Sequence, residues 1–76
     1  MQAFVEFVVK GLVSHPEEVQ VQPAERKGMT VYEITVAPGD AGKVIGRRGT
    51  TIQTLRSLAQ MGGAKQGRRC TVDLVE

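Results

Sequence analysis

The sequence predicts an α+β fold, a three-stranded mixed sheet with three helices on one face, in the order helix, strand, strand, helix, helix, strand. Three observations predict it. An apolar N-terminal segment has helical length, two segments of alternating apolar and polar residues follow it, and a glycine-broken helical stretch leads to a last alternating segment. The chain has 76 residues, 41 % of them apolar. That is one domain, residues 1–76, with one thin core, for which helices layered on a small sheet are the economical packing.

The first element covers Gln2–Val13. Its apolar residues at 4, 8 and 12 and at 5, 9 and 12 share helical faces, and its length favours a helix over a strand despite its valines. Pro16 disfavours the α conformation at His15, so the helix stops near Ser14. Val19 and Val21 then alternate with Gln20 and Gln22, as in a half-buried strand. Pro23 lacks a backbone N–H, which places this strand at an edge or ends it. Glu25–Gly28 reads as a turn, and Tyr32, Ile34 and Val36 form the inward set of the next strand. Pro38-Gly39 ends that strand.

A short helical segment, Asp40–Ile45, is interrupted by Gly46–Gly49. The next helix starts at Thr50, where Thr50 and Gln53 stand at capping-box spacing. Ile52, Leu55 and Ala59, with Leu58 alongside, make its buried stripe. Gly62-Gly63 costs about 1 kcal/mol per glycine relative to alanine, so the helix is expected to fray or end there. Gly67 marks a turn, and Cys70, Val72 and Leu74 alternate with Thr71, Asp73 and Val75 in the last strand. A two-helix crossover permits this strand to pair in parallel with the one near 30–36.

Net charge is only +2, but it is unevenly spread. Residues 1–40 hold three basic and six acidic residues, whereas residues 41–72 hold seven basic residues and no acidic one. Asp73 and Glu76 follow. A basic middle on an otherwise acidic chain suits a local anion site, and equally a solvated basic face. Cys70 is the only cysteine and His15 the only histidine. They make neither an internal disulfide nor a zinc site, and no metal, cofactor or catalytic residue is expected. The lone thiol, the absence of a signal-peptide pattern in Met1–Val13 and the absence of a membrane-length apolar run fit a cytoplasmic protein. Tyr32 and both phenylalanines read as core, so no exposed aromatic stripe is expected.

The segment Gly42-Lys43-Val44-Ile45-Gly46-Arg47-Arg48-Gly49 carries the chemistry. Glycines at a helix junction let another backbone approach closely. The following helix offers unpaired N–H groups and a positive dipole end, and Arg47 and Arg48 add forked donors suited to phosphate. Other phosphate loops fit poorly. Ala37 stands where a Walker A loop needs its first glycine, Val44 follows Lys43, and no G-x-G-x-x-G is present.

Val44-Ile45-Gly46-Arg47-Arg48-Gly49 resembles the core motif of KH domains, whose GXXG loop clamps about four nucleotides of single strand. The element order resembles the bacterial, type II form. The whole chain, over residues 2–75, is similar to the small single-KH proteins of the KhpA family. The resemblance implies a single-stranded RNA binder with an RNA-chaperone or post-transcriptional role, not an enzyme, and no small-molecule substrate. It implies that Gly46 and Gly49 shape the loop and that Arg47 and Arg48 contact phosphates. It further implies that Lys43, one turn before the loop, assists them and that Ile45 and Ile52 border the apolar groove on which bases rest. Thr50 occupies a position often basic in such proteins, which lowers the number of phosphate contacts. Arg56 suits either a contact or a solvated helix residue, and Lys65, Arg68 and Arg69 read as a charged turn. The resemblance also implies a homodimer, or a heterodimer with a larger KH-containing RNA-binding protein. The apolar first helix and Gly62-Gly63 keep open the alternative of a module that mainly docks partners. Single-stranded DNA is the less favoured ligand.

Overall fold

The computed structural model describes residues 1–75; Glu76, counted among the acidic residues above, lies outside the described residues. Helix α1 (Gln2–Leu12) leads through a 3-10 turn (Pro16–Glu18) into strands β1 (Gln20–Arg26) and β2 (Met29–Thr35). A second 3-10 turn (Pro38–Asp40) precedes α2 (Ala41–Ile45). A third (Arg47–Gly49) joins α2 to α3 (Thr50–Lys65), and β3 (Cys70–Leu74) closes the fold. The sheet order is β1-β2-β3, with β1 antiparallel and β3 parallel to β2. This is the predicted α+β architecture.

The strand alternation places Val21, Tyr32, Ile34, Cys70 and Val72 on one face of the sheet, under Val5 and Val9 of α1, Val44 of α2 and Ile52, Leu55 and Ala59 of α3. Burying an aliphatic side chain of this kind contributes about 1.5–3 kcal/mol, so this layer dominates the fold's stability.

Several local expectations are corrected. Of the two readings of Pro23 the edge strand holds and the strand end does not: β1 runs to Arg26, with Pro23 opposite Tyr32. The missing N–H is tolerated because β1 is an edge strand. The turn is therefore only Lys27-Gly28, with φ of 53° and 80°. Two positive-φ residues match the right-handed twist of the flanking strands. The outer face of the hairpin is tied by an Arg26–Glu33 ion pair of 2.7 Å.

Gly62-Gly63 neither frays nor ends α3, which continues to Lys65. A Cβ on Gly63 would stand 2.8 Å from Cys70 Sγ and 3.0 Å from the Arg68 carbonyl. The glycine lets α3 lie directly against the start of β3, and its carbonyl accepts from the Gln66 and Arg68 amides. Tertiary packing here outweighs helix propensity.

The phenylalanines are not core. Phe4 is 46 % and Phe7 78 % exposed, whereas Val5 and Val9 are buried. A helix lying on a sheet buries one stripe, and α1 turns its valines inward. Leu58 is likewise exposed, next to Met61 on α3. Among the described residues, no helix is long and apolar enough to cross a membrane.

Candidate nucleic-acid interface

Helix α2 ends at Gly46, whose amide donates to the Gly42 carbonyl at 2.9 Å. Gly46 has φ 75°, ψ 177°, a region that a side chain makes prohibitive. A Cβ there would also collide with the Thr51 side chain. Arg48 (φ 57°, ψ 26°) and Gly49 (φ 75°, ψ 11°) are left-handed as well. The chain therefore reverses within four residues, and the Gly49 amide closes the turn on the Gly46 carbonyl at 3.2 Å.

The capping box expected at Thr50 and Gln53 does not form. Thr50 already has helical angles, φ −67° and ψ −36°, so Gly49 occupies the cap position. The Thr50 hydroxyl instead donates backwards to the Arg47 carbonyl at 2.8 Å, bracing the turn. No side chain caps α3. The Thr50 amide bonds the Arg47 carbonyl, and the remaining first-turn N–H groups stand at the positive end of a 16-residue helix. Arg47 and Arg48 are exposed beside them and join no ion pair among the described residues.

The structure thus brings together Gly46, Arg47, Arg48, Gly49 and Thr50, flanked by half-exposed Ile45 and buried Ile52. It does not bring Lys43 to the loop. Lys43 Nζ lies 3.4 Å from Asp40 Oδ1 and bonds the Ser14 hydroxyl. Arg56 reaches the other way, to the outer edge of β3. Its Nε donates to the Val72 carbonyl at 3.2 Å, and its Nη2 lies 3.6 Å from Asp73 Oδ1. The carbonyl of Arg69 and the amide of Val75 face β2. The alternate residues of β3, Cys70, Val72 and Leu74, therefore turn their backbone groups toward this open edge.

Asp40 is the residue that the sequence did not reveal. It is buried, yet it does not cap α2. Its carboxylate accepts from the Ser14 amide at 3.2 Å and the His15 amide at 3.0 Å, and lies 3.3 Å from His15 Nδ1. It ties the end of α1 to the start of α2 and so fixes the helix from which the loop springs. Its partners stand about 25 residues away in the chain, so no local motif marks it. Burial opposes its ionisation. The Ser14 and His15 amides, the His15 ring and the Lys43 ammonium outweigh that penalty and hold its pKa below the ordinary 3.8.

A family model described as the KhpA/KhpB KH domain matches residues 2–74. The RNA-binding protein KhpA of Streptomyces coelicolor is 42 % identical over 76 residues, covering 100 % of this chain and 92 % of the relative. That of Thermotoga maritima is 44 % identical over 68 residues, covering 87 % and 91 %. That of Chlamydia muridarum is 36 % identical over 76 residues, covering 100 % and 97 %. No solved structure matches.

A carboxylate whose folded pKa is lowered stabilises the fold fully above its unfolded value and loses that contribution as pH falls through the folded value. The Asp40 contribution is therefore complete at neutral pH and disappears on acidification below 3.8. Urea unfolding across this range should show Asp40→Asn less stable than wild type at pH 7, with the difference narrowing in acid.

Proposed function

The chain belongs to the KhpA/KhpB KH-domain family, and on that premise we propose that it binds single-stranded RNA by gripping the backbone at Gly46–Gly49. The single observation that carries this reading is the junction between α2 and α3. Two glycines in left-handed or glycine-only geometry present two arginines, without a carboxylate partner among the described residues, beside a helix N-terminus that no described side chain caps. Phosphates gain charge-assisted hydrogen bonds from both arginines and from the amides of the first turn. The names of the relatives, RNA-binding protein KhpA, support the same ligand. Bases would lie along Ile45, Ile52 and the outer edge of β3, beside the Arg56 guanidinium that bonds the Val72 carbonyl. The role is that of an RNA chaperone or post-transcriptional regulator in the cytoplasm, without catalysis.

Fluorescence anisotropy of a short labelled RNA checks this reading. Arg47→Asp with Arg48→Asp keeps both glycines and reverses the charge. The folded double variant should lose binding by at least about tenfold, because two phosphate contacts become repulsive. Equal binding by both proteins would remove the loop from the site.

A second reading rests on a specific observation. Phe4, Leu58 and Met61 are exposed around a shallow depression completed by Met1, Gly62 and the stem of Lys65, and Phe7 stands nearby on α1. This face, which includes no residue of the loop, suits a second copy of the chain or the KH domain of a larger RNA-binding protein. Pairing would raise the avidity of a single weak clamp. Sedimentation at micromolar concentration should show a dimer that Met61→Lys dissociates while the fold is kept. A wild type that stays monomeric at that concentration would exclude self-pairing through this face.

A further inference from the structure

The cations of this chain sort by partner. Lys10, Arg26, Lys43 and Arg56 each stand within ion-pair distance of a carboxylate. Arg47, Arg48, Lys27, Lys65, Arg68 and Arg69 do not, among the described residues. Arg47 and Arg48 belong to the loop, and Lys65 borders the apolar face of α1 and α3. The other three lie at the far end of α3, about 24 Å along its 16 residues from the loop. There Arg68 and Arg69 line an open depression of about 340 Å³ with Met29, Gln60, Ala64, Cys70 and Thr71, and no acidic residue among the described ones lines it. Lys27 sits on the hairpin turn, and its neighbour Gly28 shares an adjoining depression with both arginines. Glu25 lies in that adjoining depression, so an anion is favoured on the Gln60 and Thr71 side.

The depression also lies on the correct side of α3. Arg56 bonds the Val72 carbonyl, and Gln60 and Ala64, the next residues four apart, share the depression with Cys70 and Thr71. The side of α3 that follows β3 thus runs from the arginine loop to Arg68 and Arg69. A favourable helix C-terminus accounts for isolated cations there. It does not account for paired arginines over an acid-free hollow that offers an amide, a hydroxyl and apolar walls.

Building on the RNA-binding reading, we infer that Arg68 and Arg69 form a second nucleotide site for the same RNA strand. The guanidinium groups hold a phosphate, and Gln60 and Thr71 face the base or sugar beside it. The strand leaves the loop, passes Arg56 along the outer edge of β3 and is held again at this end. The protein therefore prefers strands longer than the loop alone can clamp.

The test compares a tetranucleotide, the length that one such loop holds, with an RNA of roughly a dozen nucleotides. Each is titrated over a range of salt with wild type and with Arg68→Gln plus Arg69→Gln. The backbone bonds at this turn, from the Arg68 amide to the Gly63 carbonyl and from the Thr30 amide to the Arg69 carbonyl, survive these substitutions. The expected result is tighter binding of the longer RNA by wild type. The double variant should bind the longer RNA no more tightly than the short one, with a salt slope shallower by about 0.7 for each phosphate it no longer neutralises. Its tetranucleotide binding should match that of wild type. An unchanged affinity and slope for the longer RNA would overturn the second site, as would an equal weakening for both lengths. If wild type binds neither RNA, the RNA-binding reading itself fails, and this site with it.

Discussion

The steric constraint at Gly46 governs how the two halves of the protein meet. Its backbone stands at φ 75°, ψ 177°, and the space a Cβ would need is filled by the side chain of Thr51. Helix α2 can therefore stop after five residues and α3 can begin almost at once, with the Thr50 hydroxyl holding the turn shut. A wider turn would shift α3 relative to β3 and undo the packing of Gly63 on Cys70 at the other end of the helix. The same reversal leaves the N-terminus of α3 uncapped. The loop's geometry and the lack of a side-chain cap on α3 thus have one origin.

Asp40 supports this junction from below. A buried carboxylate without partners would be costly, whereas one that accepts two amides and faces a lysine is held in its ionised form. It joins Ser14 and His15, which follow α1, to the start of α2, so the sheet-packed N-terminal helix and the loop-bearing helix are tied together. The network also draws Lys43 away from the loop, so that the cations near it divide into Lys43, tied to Asp40, and Arg47 and Arg48, which meet no carboxylate among the described residues.

How much of this could be read from the residues depends on how local each cause is. Strand alternation at 19–22, 32–36 and 70–74 is local, and it placed the three strands. Gly46–Gly49 announced itself because a glycine-bounded basic turn after an apolar pair is a local pattern. The hairpin turn is shorter than predicted because Lys27 adopts a left-handed conformation that its residue type does not advertise. Helix α3 outlasts Gly62-Gly63 because of its packing on Cys70, which is invisible to propensity. The exposed Phe4 and Phe7 were misassigned because apolar identity does not say which stripe of α1 meets the sheet. Asp40 was missed because its partners lie across the fold. The depression under Arg68 and Arg69 needs the hairpin, α3 and β3 to be assembled before it exists.

RNA held by the arginine loop and the start of α3 should perturb the backbone amide chemical shifts from Gly46 to Ile52 most during titration with a short single-stranded RNA. Largest changes around Phe4, Phe7 and Met61, with the loop amides unmoved, would place the RNA elsewhere.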